Sequence, residues 1–292
     1  MTCSQVDQRL GARIVFKCEN FQKTGAFKAR GATNAVWSLS DDEAAQGVVT
    51  HSSGNHAAAL AWAAGLRGVP AYIVMPSNAP RVKIAAVEHY GGQITFCEPN
   101  QSARETTCEQ IQRATGATLI HPYDDLRIIA GQGTAALEFV NQCPDLDILM
   151  TPVGGGGLLA GTAIVAQSEQ PQIRVWAGEP RVVNDAYESL RTGVRQPTTG
   201  QRSLADGLLT GLGRLTFPII QEFVEQIRLA DESHIRDTQR LIMERMKLVV
   251  EPSAAVPLAS LIANPEGIAG KTIGIILSGG NVELSALGKD GP

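Results

Sequence analysis

Along the chain, short runs of aliphatic and β-branched residues alternate with longer stretches in which apolar residues recur every three or four positions. The short runs predict strands at residues 14–17, 48–50, 71–75, 94–96, 118–120, 148–153, 174–177 and 272–277. The longer stretches predict helices at 55–64, 80–90, 103–114 and 131–142, and over 233–248, where Ser233 opens a helix that buries Ile235, Leu241, Ile242 and Met246. The strand runs are nearly continuous in apolar residues, as strands covered on both faces require. Strand and helix in alternation predict an α/β fold of open, mainly parallel twisted sheets covered by helices. Residues 191–203, RTGVRQPTTGQRS, predict a polar loop. In such folds ligands bind beyond the carboxyl ends of the strands, so the residues just after each strand carry the most information.

Composition narrows the class. A chain of 292 residues with 43% hydrophobic and 18% charged residues can bury a large core and is not of disordered composition. The net charge is -4 and no basic block or aromatic-interleaved Lys/Arg stripe exists, so nucleic acid is not expected as a partner. Five scattered cysteines without a CxxC pair suggest neither a zinc site nor a disulfide framework. With no signal-peptide pattern and no bilayer-length apolar run, the expectation is a soluble cytoplasmic protein with no membrane partner.

Four strand ends carry candidate chemistry. HSSGNHAAA (51–59) follows the strand at 48–50 and opens a helix. Free N–H groups there favour a carboxylate or phosphate, although Ser53 and Asn55 are equally good helix caps. GGGGLLAG (154–161) sets four glycines between a strand and an apolar helix, a pattern suited to amides that close around a phosphate. No GK[ST] follows, so it is not a P-loop, and it is a poor dinucleotide fingerprint. EPRVVND (179–185) offers Glu179 and Asp185 as oxygen ligands for Mg²⁺ or Ca²⁺, although paired loop acids are more often simply solvated. LSGGN (277–281) ends the last strand and offers the Ser278 hydroxyl. With Lys28 in QKTGAFKARG (22–31), these stretches suit one ligand that carries a phosphate and a group reactive toward an amine. Pyridoxal 5′-phosphate (PLP) has both, with Lys28 forming a Schiff base and Ser278 meeting the pyridine nitrogen.

The stretches FQKTGAFKARGA, HSSGNHA, AGQGT, PVGGGGLLAG, GEP, ERMKLVVEPSAA and LSGGN, in this order over nearly the whole chain, resemble the fold type II PLP enzymes (tryptophan synthase beta-like). Within them the chain is similar to the serine/threonine dehydratase and serine racemase branch. The resemblance implies a small domain (38–125) inserted in a large PLP-binding domain (1–37 and 126–292). It implies that Lys28 carries PLP, that Phe27 lies near its ring and that Asn55 bonds the ring's 3′-oxygen. It also implies that Gly154, Gly155, Gly156, Gly157 and Leu158 hold the phosphate, and that Ser278 faces the pyridine nitrogen. Ser52, Ser53, Gly54 and His56 would surround the substrate carboxylate. Glu179, the carbonyl of Val183 and Asp185 resemble a divalent-cation site (Mg²⁺, Mn²⁺ or Ca²⁺). A homodimer is implied as well.

Two activities compete within this resemblance. Ser53 stands where the racemase branch keeps its second acid/base opposite the lysine, while many threonine dehydratases carry alanine there. HPYDD (121–125) resembles the dehydratase pattern, and Tyr123 stands where animal serine racemases carry asparagine. A 3-hydroxyaspartate dehydratase is a similar relative with the same serine, and Arg104 could meet the second carboxylate of such a substrate. Dehydration of a small β-hydroxy amino acid to a keto acid and ammonia therefore ranks first, and serine racemisation by Lys28 and Ser53 second. The stretch ahead of the first motif is short for the family, which puts a nucleotide effector in doubt. No regulatory domain is expected after Pro292. A PLP carrier without turnover would be expected to lose Lys28 or the glycines, and a Rossmann-like nucleotide binder would leave Lys28 and Ser278 without a role.

Overall fold

A computed structural model of the chain describes residues 1–283; residues 284–292, assigned above to the large domain, lie outside the described residues. The strands are β1 Arg13–Cys18, β2 Val48–His51, β3 Ala71–Pro76, β4 Gln93–Cys97, β5 Thr118–Leu119, β6 Ile148–Pro152, β7 Arg174–Pro180, β8 Gln226–Ala230 and β9 Thr272–Leu277. They form a five-stranded sheet, β1-β9-β6-β7-β8, and a four-stranded sheet, β4-β3-β2-β5. Every strand pair is parallel. The α/β architecture with two helix-covered sheets matches the expectation, and among the described residues no helix is long and apolar enough to cross a membrane.

The chain divides into two compact units. One comprises Met1–Phe27 and the residues from Gln132 onward, and the other is Lys28–Gly131. The division therefore falls at 27/28 and 131/132, whereas the sequence reading places it at 37/38 and 125/126. Packing explains the shift. Helix Lys28–Trp37 turns Ala32, Ala35 and Val36 into the core built on Leu60, Ile73, Met75 and Ile120. A Cβ on Gly131 would lie 2.6 Å from the Gly31 Cα, so the backbones at these two positions touch. A side chain at Gly131 would push the two segments apart.

In the 28–131 unit, β2 and β3 pair with Val48 opposite Ala71, and β3 and β4 with Tyr72 opposite Gln93. Helix Asn55–Arg67 buries Ala57, Ala58, Ala59, Leu60, Ala61, Ala63 and Ala64 and ends on Gly68 at φ 74°. Alanine gives it high helical propensity and a smooth surface for close packing.

In the other unit, the core gathers Ile14, Phe16, Ile148, Met150, Trp176, Ile273, Ile275 and Leu277 with helix residues Ala254, Ala255, Leu258 and Leu261. Truncating fully buried Ile148 or Ile275 to alanine should cost about 2–5 kcal/mol. Helix Pro252–Ala263 comes close to the sheet because Gly178 on β7 has no side chain; a Cβ there would lie 2.7 Å from the Pro257 Cα. The hydrophobic pattern does not predict strand β8. Its polar positions hide the apolar ones, and Arg228 instead stacks its guanidinium 4.2 Å from the centroid of the Trp176 ring. The helix expected over 233–248 runs Glu232–Met246 and is entered from Asp231, so Ser233 lies inside its first turn rather than at the cap. Ile235 and Ile242 are buried, and Leu241 and Met246 pack partly against the core.

Candidate active site

Each unit concentrates its unusual residues at the carboxyl ends of its strands. In the larger unit, β6 runs into Val153 and the four glycines, and helix Gly157–Glu169 begins at the last of them. Gly156 caps this helix at φ 89°, a backbone region that side chains disfavour. Its missing Cβ would lie 2.8 Å from Ile220 Cδ1 and 2.9 Å from Thr216 Oγ1, and one on Gly154 would lie 2.9 Å from the Leu208 Cα. The turn is braced on its carbonyl side, where Thr216 Oγ1 donates to Gly155 O at 2.8 Å and accepts from Gly213 N at 2.8 Å. That bracing uses an oxygen of the loop and leaves the amides at the helix start for a ligand. An anion there also meets the positive end of the helix dipole. The observed cradle therefore fits a phosphate group.

Ser278 directly follows β9 and is 2% exposed. Its carbonyl accepts a hydrogen bond from Phe27 N at 2.9 Å, and Ala26 bridges Gly279 in antiparallel fashion. Phe27 is thus fixed beside Ser278, and Lys28 is the next residue. Further along the same sheet, Glu179 at the end of β7 accepts from Ala186 N at 2.9 Å and Tyr187 N at 2.8 Å. Asp185, 3% exposed, leaves Oδ2 buried without a hydrogen-bond partner, and buried Val183 ends the 3₁₀ turn that lies between the two acids in the chain. Burial pushes the Glu179 carboxyl up to about 8, and the charge of Asp185 adds to this. Burial raises Asp185 to about 6. Two acids that resist ionisation, one with an orphaned oxygen, fit a cation that would neutralise them. Among the described residues no cluster of three or more His, Cys, Asp or Glu side chains is placed to hold a metal, so any cation here would need the Val183 carbonyl or water as well.

In the 28–131 unit, Lys28 Nζ donates to Pro122 O at 2.7 Å. Helix Asn55–Arg67 is entered from Gly54 without a side-chain cap bond. The structure therefore does not use Ser53 as the cap, which is the competing reading of that serine. Ser52 Oγ instead accepts weakly from Gly54 N at 3.5 Å. Lys83 stands over the turn, with its Nζ 4.0 Å from where a Cβ on Gly54 would lie. His56 takes a different place from the one expected. It is 2% exposed, with Nε2 3.2 Å from Ile120 O, so its ring belongs to the core and only its backbone is at the turn. Burial, with the Lys28 charge second, holds His56 well below the usual histidine range.

Two residues outside the expected set complete this region. The His51 and His121 rings meet edge-on with centroids 5.6 Å apart, and His121 meets Tyr123 at 4.6 Å. His121 Nδ1 accepts from Asp124 N at 2.9 Å, so its proton sits on Nε2. Burial, the neighbouring His51 and then Lys28 lower His121 to about 4. Arg104, on helix Gln101–Thr115, keeps Nε buried without a hydrogen-bond partner, and its charge helps lower His51, which burial lowers most. A histidine inside an apolar run gives little sequence signal of its own; the HPY turn after β5 is the only pointer to His121.

Comparison with known proteins decides the family. Residues 1–279 match the family described as "Pyridoxal-phosphate dependent enzyme". The chain is a PLP-dependent enzyme of this family. This PLP enzyme is 48% identical over 286 residues to a beta-hydroxyaspartate dehydratase of Paracoccus denitrificans (strain Pd 1222), covering 98% of this chain and 91% of that protein. The crystal structure of serine racemase from Dictyostelium discoideum superposes with a TM-score of 0.93 at 47% identity, covering 97% of this chain and 92% of that one. The structure of maize serine racemase gives a TM-score of 0.96 at 42% identity, with 98% of this chain and 89% of that one covered. Similarity of this extent supports a fold type II assignment for both sheets.

Proposed function

We propose that this PLP enzyme dehydrates a small β-hydroxy amino acid, of the serine, threonine or 3-hydroxyaspartate kind, to a keto acid and ammonia. The observation that carries the reading is a lysine, Lys28, whose amine is held by a neutral carbonyl, on the residue after the Phe27–Ser278 backbone bond. Lys28 would carry the cofactor, Gly154–Leu158 its phosphate and Ser278 its pyridine nitrogen, with Phe27 and Asn55 beside the ring. PLP bound at these residues supplies a carbonyl that takes up amino groups and an electron sink for the charge left behind when an α-hydrogen departs as a proton. Lys28, once its amine is free, accepts that proton at Nζ. A hydroxyl group at the ring nitrogen, unlike a carboxylate, does not hold a proton there, which suits elimination better than transamination. Ser52, Ser53 and the amides of the turn bind the substrate carboxylate, and Arg104 takes the second carboxylate when the substrate is dicarboxylic. The similarity to the Paracoccus dehydratase supports that substrate class.

Serine racemisation is the second reading, and one observation favours it. Because the helix does not draw on Ser53 as its cap, the hydroxyl is available as a second acid/base. We also propose a divalent cation at Glu179, Val183 and Asp185, and a homodimer. The test incubates holoenzyme with L-serine, D-serine, L-threonine and both threo- and erythro-3-hydroxyaspartate, measuring keto acid and enantiomer in the same tubes. Keto acid in excess from at least one β-hydroxy substrate supports the dehydratase. D-serine formed faster than pyruvate from L-serine reverses the ranking.

A further inference from the structure

Beyond Ser278, the LSGGN turn pairs with the backbone just before Lys28. Thr24 adopts φ 59°, one of only two non-glycine residues at positive φ among the described residues. An L side chain there is strained unless something holds it. The next residue, Gly25, is also left-handed, at φ 74°. What holds this pair is Asn281. Its Nδ2 donates to Thr24 O at 2.7 Å, and its Oδ1 lies 2.5 Å from where a Cβ on Gly25 would be. The amide of Asn281 therefore lies flat across a position that only glycine can occupy.

From that point the two segments run as a short ladder. Gly280 N donates to Gly25 O at 2.9 Å, Ala26 bridges Gly279, and Phe27 N donates to Ser278 O at 2.9 Å. The turn is packed tightly from behind. A Cβ on Gly279 would lie 2.8 Å from Glu251 Oε1, and one on Gly280 2.6 Å from Val249 O. Glu251 N also donates to Gly279 O at 3.0 Å. Residues 278–281 are thus fixed on one side, so the segment they pair with takes its position from them.

We propose that Asn281 is a positioning residue for the reaction. It pins the left-handed Thr24–Gly25 pair, sets the register of the ladder, and so fixes the backbone from which Lys28 projects to the strand end that carries Ser278. The inference rests on the reading of Lys28 as the residue that carries PLP.

The test uses holoenzyme and two variants, Asn281→Ala and Asn281→Asp, the second nearly isosteric but unable to donate to Thr24 O. Hydrogen exchange of the peptides containing Phe27 and Gly280 should quicken about tenfold in both, the ratio that one ordinary hydrogen bond supports. Peptides of β6 should exchange at the wild-type rate. The absorbance band at about 410–420 nm should lose intensity at a fixed PLP concentration, and kcat should fall with KM nearly unchanged. The decisive variant is Thr24→Gly in the Asn281→Ala background, because glycine takes φ 59° without a clamp. It should restore most of the lost exchange protection and kcat. Unchanged exchange at Phe27 and Gly280 in both single variants overturns the inference, and so does a double variant no better than Asn281→Ala. If the Lys28 reading itself is wrong, the exchange changes will appear while the wild type lacks the absorbance band, so the two failures are separable.

Discussion

The two strand-end regions of this enzyme are built by opposite means. The region at Gly154–Gly157 is made of backbone. It has no charged side chain, Gly154 and Gly156 are required by the atoms packed behind them, and its attraction for an anion comes from amides and a helix dipole. The region at residues 51–56 and 121–125 is made of side chains. It gathers Lys28, Lys83, His51, His121 and two serines, and its character depends on which of them hold protons. On the proposed reading, the first region supplies grip that varies little with pH, and the second supplies chemistry whose protonation is tuned by burial. The lesson is that anchoring and reactivity need not be built from the same material.

The contrast can be broken by substitution, and the largest effect is expected at the amine. Lys28→Ala should lower keto-acid formation by about a thousandfold or more, since it removes the proton acceptor together with the covalent link. The visible band should vanish while phosphate-driven PLP binding persists, which equilibrium dialysis would measure. Next comes Gly156→Ala, which puts a methyl group at φ 89° against Ile220 and Thr216. It should cost about 1–3 kcal/mol of stability, read as a lower denaturant midpoint, and weaken PLP binding even though Lys28 is intact.

A smaller and reversible effect should come from the acids at the end of β7. Their folded pKa values, about 8 for Glu179 and about 6 for Asp185, lie above their ordinary values of 4.5 and 3.8. The folded state therefore holds more protons than the unfolded one between those limits, and stability falls as pH rises from about 4 to about 8. Thermal melts of metal-free protein should show this decline, and Mg²⁺, Mn²⁺ or Ca²⁺ should raise the melting temperature more at pH 8 than at pH 5. An equal shift at both pH values would argue against the cation site. The smallest effect on elimination is expected from Ser53→Ala, which should leave keto-acid formation within about threefold while abolishing any serine inversion. Inversion at the wild-type rate would remove Ser53 from the second reading.

Much of this was legible in the sequence, for a definite reason. Doubly buried parallel strands must be apolar throughout, so the runs around Ile148 and Ile273 reveal themselves, and four consecutive glycines have few uses at a strand end. The unread features depend on partners far away in the chain. The strand around Arg228 is disguised because its arginine is accommodated by Trp176. The packing of helix Lys28–Trp37 depends on a glycine a hundred residues later, Gly131, meeting Gly31. Ser53 resembles a helix cap because serine favours that position, yet the helix enters from Gly54. The left-handed turn at Thr24 leaves no trace at all, since threonine is among the residues least suited to it.

The cradle has one further consequence, for how such an enzyme can diversify. A grip made of amides offers little to substitute, because Gly154 is confined by packing and Gly156 by packing and φ, and a side chain at either breaks the fit. On the proposed reading, variation in what the enzyme accepts falls to residues outside the cradle, such as Arg104, Tyr123, Lys83 and Ser53. Efforts to redirect the enzyme toward new amino acids should randomise that unit and leave the glycines untouched.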